Sequence, residues 1–181
     1  MSKRFLQLCL WVIIGAASAF GQEMPKWITP GLEGYGRIVY DPSLAVQPDK
    51  SRDYKIIFAV TSDQTQEGVN SQLWHVARMV NLLAAAKVPK EKIHLVVGIA
   101  GKATPVILTD GAYMQRFKKP NPDTALIRQL KKAGVVLYVC SQAAAEHNVD
   151  MKKEMNPDIL GSLSLMTTLA NYELQGYIAI P

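Results

Sequence analysis

From Tyr54 onward, short continuous apolar runs alternate with longer segments of helical periodicity. The run from Tyr54 to Thr61 has no polar alternation, which is how a strand buried on both faces reads. Leu73, Val76, Ala77, Val80 and Leu83 then recur at helical spacing, so one face of a helix beginning near Ser71 is apolar, and Pro89 marks its exit. A second strand is expected from Ile93 to Ile99. A helix follows from Thr124 to Ala133, opened by Asn121-Pro122-Asp123 and closed at Gly134. Val135 to Val139 reads as a third strand, Ser141 to His147 as the start of a short helix, Ile159 to Leu174 as a helix, and Gly176 to Ile180 as a fourth strand. The patch Pro105 to Leu108 is too short to assign. Strands joined through helices require crossovers, which give a parallel sheet covered on both faces. The expected fold is therefore a three-layer α/β/α sandwich with a mainly parallel sheet.

The chain has 181 residues, which suits one domain of that kind with something before it. Lys3 and Arg4 precede an apolar run from Phe5 to Ala19, and polar Gln22 and Glu23 follow. This is the pattern of a secretory signal peptide over residues 1–21, with small residues placing cleavage after Ala19 or after Gly21. The run is shorter than the roughly 20 residues that a spanning helix needs, so no stable membrane anchor is expected. Export implies a periplasmic protein in a Gram-negative bacterium and an extracellular one otherwise. Residues 22–53 carry Pro25, Pro30, Pro42 and Pro48 with three glycines and no sustained period, and read as an extended arm. Within it, Tyr35 to Tyr40 reads as an edge strand or a subunit contact. Residues 54–181 form the α/β domain.

Removing Lys3 and Arg4 lowers the basic count from 20 to 18 against 15 acids, so the net charge falls from +5 to +3. The basic residues are scattered, which excludes a nucleic-acid stripe. His75, His94 and His147 have no metal-ligand spacing among themselves or with a cysteine, and no phosphate loop, G-x-G-x-x-G or G-x-S-x-G motif is present. Neither a metal nor an organic cofactor is expected.

Loss of Cys9 with the leader leaves Cys140 as a lone thiol. It stands at the carboxyl end of the third strand, where ligands bind in open α/β sheets, and just before a helix start whose free N–H groups favour negative charge. Both placements favour a reactive thiolate. Equally, cysteine is among the most buried residue types and often acts as a small apolar side chain. Position alone leaves the two readings level. His147, about two helical turns further on, is too distant to serve as its base.

The segments Ile56 to Val60, Gly98 to Ala103, Gly134 to Gln142 and Gly176-Tyr177 resemble the DsrE/DsrF-like family, which includes TusD-type sulfur-relay subunits and YchN-like proteins. The likeness spans Tyr54 to Ile180. It implies a flavodoxin-like sandwich and a homo-oligomer, trimeric or hexameric. It also implies that Cys140 accepts sulfane sulfur as a persulfide from a donor and passes it to an acceptor thiol protein. Ser141 and Gln142 would support the thiolate, and the turn containing Gly98, Ala100, Gly101, Lys102 and Ala103 would wall its pocket. The alternative is a noncatalytic oligomeric module for ligand binding or assembly, in which Cys140 merely packs. The exported arm has no counterpart in the cytoplasmic relay subunits.

Overall fold

The computed structural model describes residues 24–181; the expected signal peptide lies outside them. In chain order the elements are β1 (Tyr54–Val60), β2 (Thr65–Gln66), β3 (Val69–Asn70), α1 (Ser71–Ala85), β4 (Ile93–Ile99), α2 (Asp110–Phe117), α3 (Thr124–Lys132), β5 (Val136–Cys140), α4 (Ser141–Glu146), β6 (Leu160–Ser162), α5 (Leu165–Leu174) and β7 (Ile178–Ile180). Five strands form one parallel sheet in the order β6-β5-β4-β1-β7, while β2 and β3 make a separate small hairpin.

Strand alternation sorts the sheet into two faces. Ile56, Phe58 and Val60 lie opposite Leu95, Val97 and Ile99 in register. With Leu137 and Val139 they join the main core, packed against Leu73, Trp74 and Val76 of α1 and Leu126, Ile127 and Leu130 of α3. The other face carries Ile57, Val96, Gly98, Tyr138 and Cys140, and α5 packs across it over β1, β4 and β7. Topology explains this division. The connections β1 to β4, β4 to β5 and β5 to β6 all step in one direction, whereas α5 carries the chain back past β1. Right-handed crossovers therefore put α5 on the opposite face.

Gly98 lets α5 approach closely: a Cβ there would lie 2.4 Å from Leu165 Cδ1. The helix itself is shorter than the sequence pattern suggests. Leu160–Ser162 forms the edge strand β6, and Ser164 opens α5 by accepting the Met166 N–H through its hydroxyl. Gly161 and the serines interrupt the apolar spacing that runs from Ile159 to Leu174. The closing strand is consequently the fifth of the sheet, and the third expected strand is displaced by one residue to include Cys140. Pro105 falls inside a 3₁₀ stretch, Gly101–Ile107, and α2 follows it in a polar segment with little apolar spacing.

The arm docks on α1 without joining the sheet. Ile38 pairs with Ile28 in an isolated antiparallel bridge instead of extending an edge. Fully buried Asn81, in the middle of α1, holds the arm at both ends of its amide. Its Oδ1 accepts the Gly31 and Leu32 N–H groups at 2.8 Å, and its Nδ2 donates to the Tyr35 and Gly36 carbonyls. Gly36 touches the helix backbone, so that a Cβ would fall 2.2 Å from Arg78 N.

Candidate functional site

β5 ends at Cys140, whose backbone is extended (φ −68°, ψ 119°) and serves as the N-cap position of α4. α4 returns to the α1/α3 face, where Ala144 joins the main core, while α5 leaves β6 toward the other face. The chain thus diverges between β5 and β6, and such a divergence beyond the carboxyl ends of parallel strands opens a crevice suited to ligands. Cys140 and Ser162 are register partners at that point.

The crevice is closed in this structure by short polar ties and one leucine. Ser141 Oγ donates to the Leu163 carbonyl at 2.9 Å, and Gln142 Nε2 reaches the same oxygen at 3.3 Å. Ser162 Oγ donates to the Val139 carbonyl. The thiol side chain packs with Ala100, Ala143 and half-buried Leu165, and Cys140 retains only 6% exposure. Ala100 and Ala143 are too small to seal a sulfur atom, so Leu165, at the first position of α5, is the substantial cover.

The candidate pocket residues divide into two groups. Gly98 and Ala100 lie with Cys140 on the α5 side. Gly101 turns the chain at φ +54° near Thr61, and Ala103 is fully buried in the main core with its N–H donated to the Thr61 carbonyl. Lys102 is exposed and lines a separate cleft of about 680 Å³, which His147 also lines. The sequence reading missed Leu165, whose role arises only when α5 is laid on the sheet. It also missed a tyrosine cluster behind the thiol: Tyr172 hydrogen-bonds Tyr138 between hydroxyls at 3.1 Å, and its ring meets Tyr177 edge-on. Burial and that hydrogen bond raise the Tyr172 pKa well above the ordinary phenol range, so Tyr172 is a neutral packing element. No cluster of three or more metal-binding side chains occurs among the described residues.

A family model described as DsrE/DsrF-like matches residues 55–181, most of the chain and all of the sheet but Tyr54. The chain belongs to the DsrE/DsrF-like family. Among solved structures, the protein of unknown function MTH1491 from Methanobacterium thermoautotrophicum superposes with a TM-score of 0.55 at 16% identity, over 71% of this chain and 98% of that one. That likeness concerns the fold alone. The ychN protein from E. coli aligns with a TM-score of 0.48 at 14% identity, over 70% of this chain and 99% of its own. No curated protein matches. Cys140, Leu165 and the tyrosine cluster all fall within the matched residues.

Proposed function

We propose that this DsrE-like protein is exported and carries sulfane sulfur as a persulfide on Cys140. The observation that carries the reading is the position of the thiol, at the divergence of β5 and β6 beneath a single half-buried leucine. In the loading step the Cys140 thiolate attacks the outer sulfur of a polysulfide. An S–S bond forms between Cys140 Sγ and that sulfur, the donor's terminal S–S bond breaks, and the donor leaves as a polysulfide anion one sulfur shorter. In the delivery step an acceptor thiolate attacks the outer sulfur and Cys140 departs as thiolate. Neither step needs a metal or an organic cofactor. Ser141 and Gln142 contribute by tying the strand end to the Leu163 carbonyl, and movement of Leu165 admits the donor.

The 6% exposure of Cys140 in an apolar shell favours a second reading, a structural thiol in a binding or assembly module. One experiment separates them. The native protein, treated with polysulfide, is examined by peptide mass spectrometry, with Cys140→Ser as control. The carrier reading expects a one-sulfur adduct at Cys140. It also expects Leu165→Ala to speed loading on the order of tenfold, because local opening limits access to a covered thiol. A thiol that stays unmodified in both native proteins, and reacts only after denaturation, supports the structural reading and removes the carrier.

A further inference from the structure

The cleft lined by Lys102 holds a carboxylate that the fold does not explain. Asp123 is 3% exposed and occupies the N-cap position of α3, yet its side chain caps no α3 N–H group. Its Oδ1 instead accepts the Asn70 N–H at 2.7 Å, and its other oxygen has no hydrogen-bond partner among the described residues. That second oxygen is not sealed in the interior but opens on the cleft, so a largely buried carboxylate keeps one oxygen available to a ligand. An asparagine would accept the same Asn70 N–H without the charge. Burial pushes the Asp123 pKa up to about 6, against the lowering effect of the Asn70 bond. The charge also reaches Tyr113, whose pKa is raised first by its own burial and then by Asp123.

The surroundings of that carboxylate are those of a small-molecule site. The cleft, about 680 Å³, lies in the size range of organic ligands. Tyr113 and Phe117 supply an aromatic shelf, their rings 4.4 Å apart between centroids. Lys102 and Lys119 bring positive charge, Asp63 and Asp123 negative charge, and His147 completes the ionisable set. The formal charges of the lysines and aspartates balance, which suits neither a simple anion nor a simple cation. A second cleft, about 610 Å³ between the arm, α1 and the end of α3, has no buried polar side chain in its lining.

We propose that this cleft binds a small zwitterion with an aromatic or apolar body, of the α-amino acid class. Its ammonium group donates to the unused oxygen of Asp123, its carboxylate meets Lys102 or Lys119, and its body lies on Tyr113 and Phe117. The site is separate from Cys140 and does not depend on sulfur transfer.

Titration of the isotope-labelled protein with L-phenylalanine, 2-phenylethylamine and 3-phenylpropanoate, followed by amide NMR, tests the assignment. L-phenylalanine is expected to bind best, shifting the Asn70, Lys102, Tyr113 and His147 amides. Asp123→Asn, which retains the Asn70 bond, should weaken L-phenylalanine at least tenfold and leave 3-phenylpropanoate unchanged. Lys102→Ala combined with Lys119→Ala should weaken L-phenylalanine and leave 2-phenylethylamine unchanged. Cys140→Ser should alter none of these, so failure of the carrier reading leaves this one standing. No saturable shift with L-phenylalanine at millimolar concentration overturns the proposal. So do shifts confined to other surfaces, a preference for either singly charged analogue, or an Asp123→Asn protein that folds and binds L-phenylalanine as before.

Discussion

At the residue scale, the two side chains of greatest chemical interest differ in how plainly they stand in the sequence. Cys140 is legible because a cysteine at the end of an apolar run is a local pattern. Asp123 looks like an ordinary helix opener after Pro122, and only the fold turns it away from α3 and buries it. Burial makes Asp123 a source of pH dependence. Its folded pKa of about 6 lies above its ordinary value of 3.8, so the folded protein holds this proton more tightly than the unfolded chain. The stabilisation from protonation is complete below about pH 4 and is lost as pH rises through about 6. Two pKa units correspond to roughly 3 kcal/mol. Asp123→Asn is therefore expected to be more stable than the parent at pH 8, by about 1–3 kcal/mol, and to match it near pH 4. Urea denaturation at the two pH values measures the difference. Asp63, Lys102, Tyr113, Lys119 and His147 share the cleft, so the comparison is repeated in a His147→Gln background. A difference that does not change with pH would sink the assignment.

At the element scale, the arm depends on one amide. Asn81 is fully buried and makes four hydrogen bonds to arm backbone. Asn81→Leu keeps the volume and removes every one of those partners, so the arm should detach and solvate its own backbone. The expected cost is about 2–4 kcal/mol, with rapid protease cleavage within residues 24–52 and survival of the sheet domain. Mass spectrometry of the limited digest reads this directly, and an arm that stays protected would show that Asn81 is not its anchor. The sequence contained a hint, since Asn81 interrupts an otherwise apolar helix between Val80 and Leu83, but not the partner. The central strands and α1 were legible because burial on two faces, or along one stripe, leaves a period in the chain. β6 was not, because three residues carry no period and were absorbed into the apparent spacing of α5. The cover over Cys140 was lost with it, since placing Leu165 requires knowing where α5 begins and which face it crosses.

At the scale of the whole molecule, the two faces of the sheet are unequally protected. Among the described residues α1 and α3 seal one face while α5 alone covers the other, and exposed apolar side chains gather around it. Leu163, Met166 and Leu174 are 72%, 79% and 87% exposed, and Leu160 and Ile178 stand on the short edge strands at either side. Apolar surface concentrated in this way marks an interaction site more often than a solvated one. Self-association through the α5 side is the prediction that this surface carries. Light scattering of the protein should give a mass several times that of the chain, and Met166→Glu combined with Leu174→Glu should reduce it to the monomer. Both side chains are largely solvent-exposed in the single chain, so the double variant should keep its fold, which circular dichroism checks. A parent that remains monomeric across a broad concentration range removes the inference. Because α5 begins at Leu165, the same variant links assembly to the thiol: if subunit contacts hold α5 against the sheet, the monomer's Cys140 should react faster with a thiol reagent than that of the assembled parent.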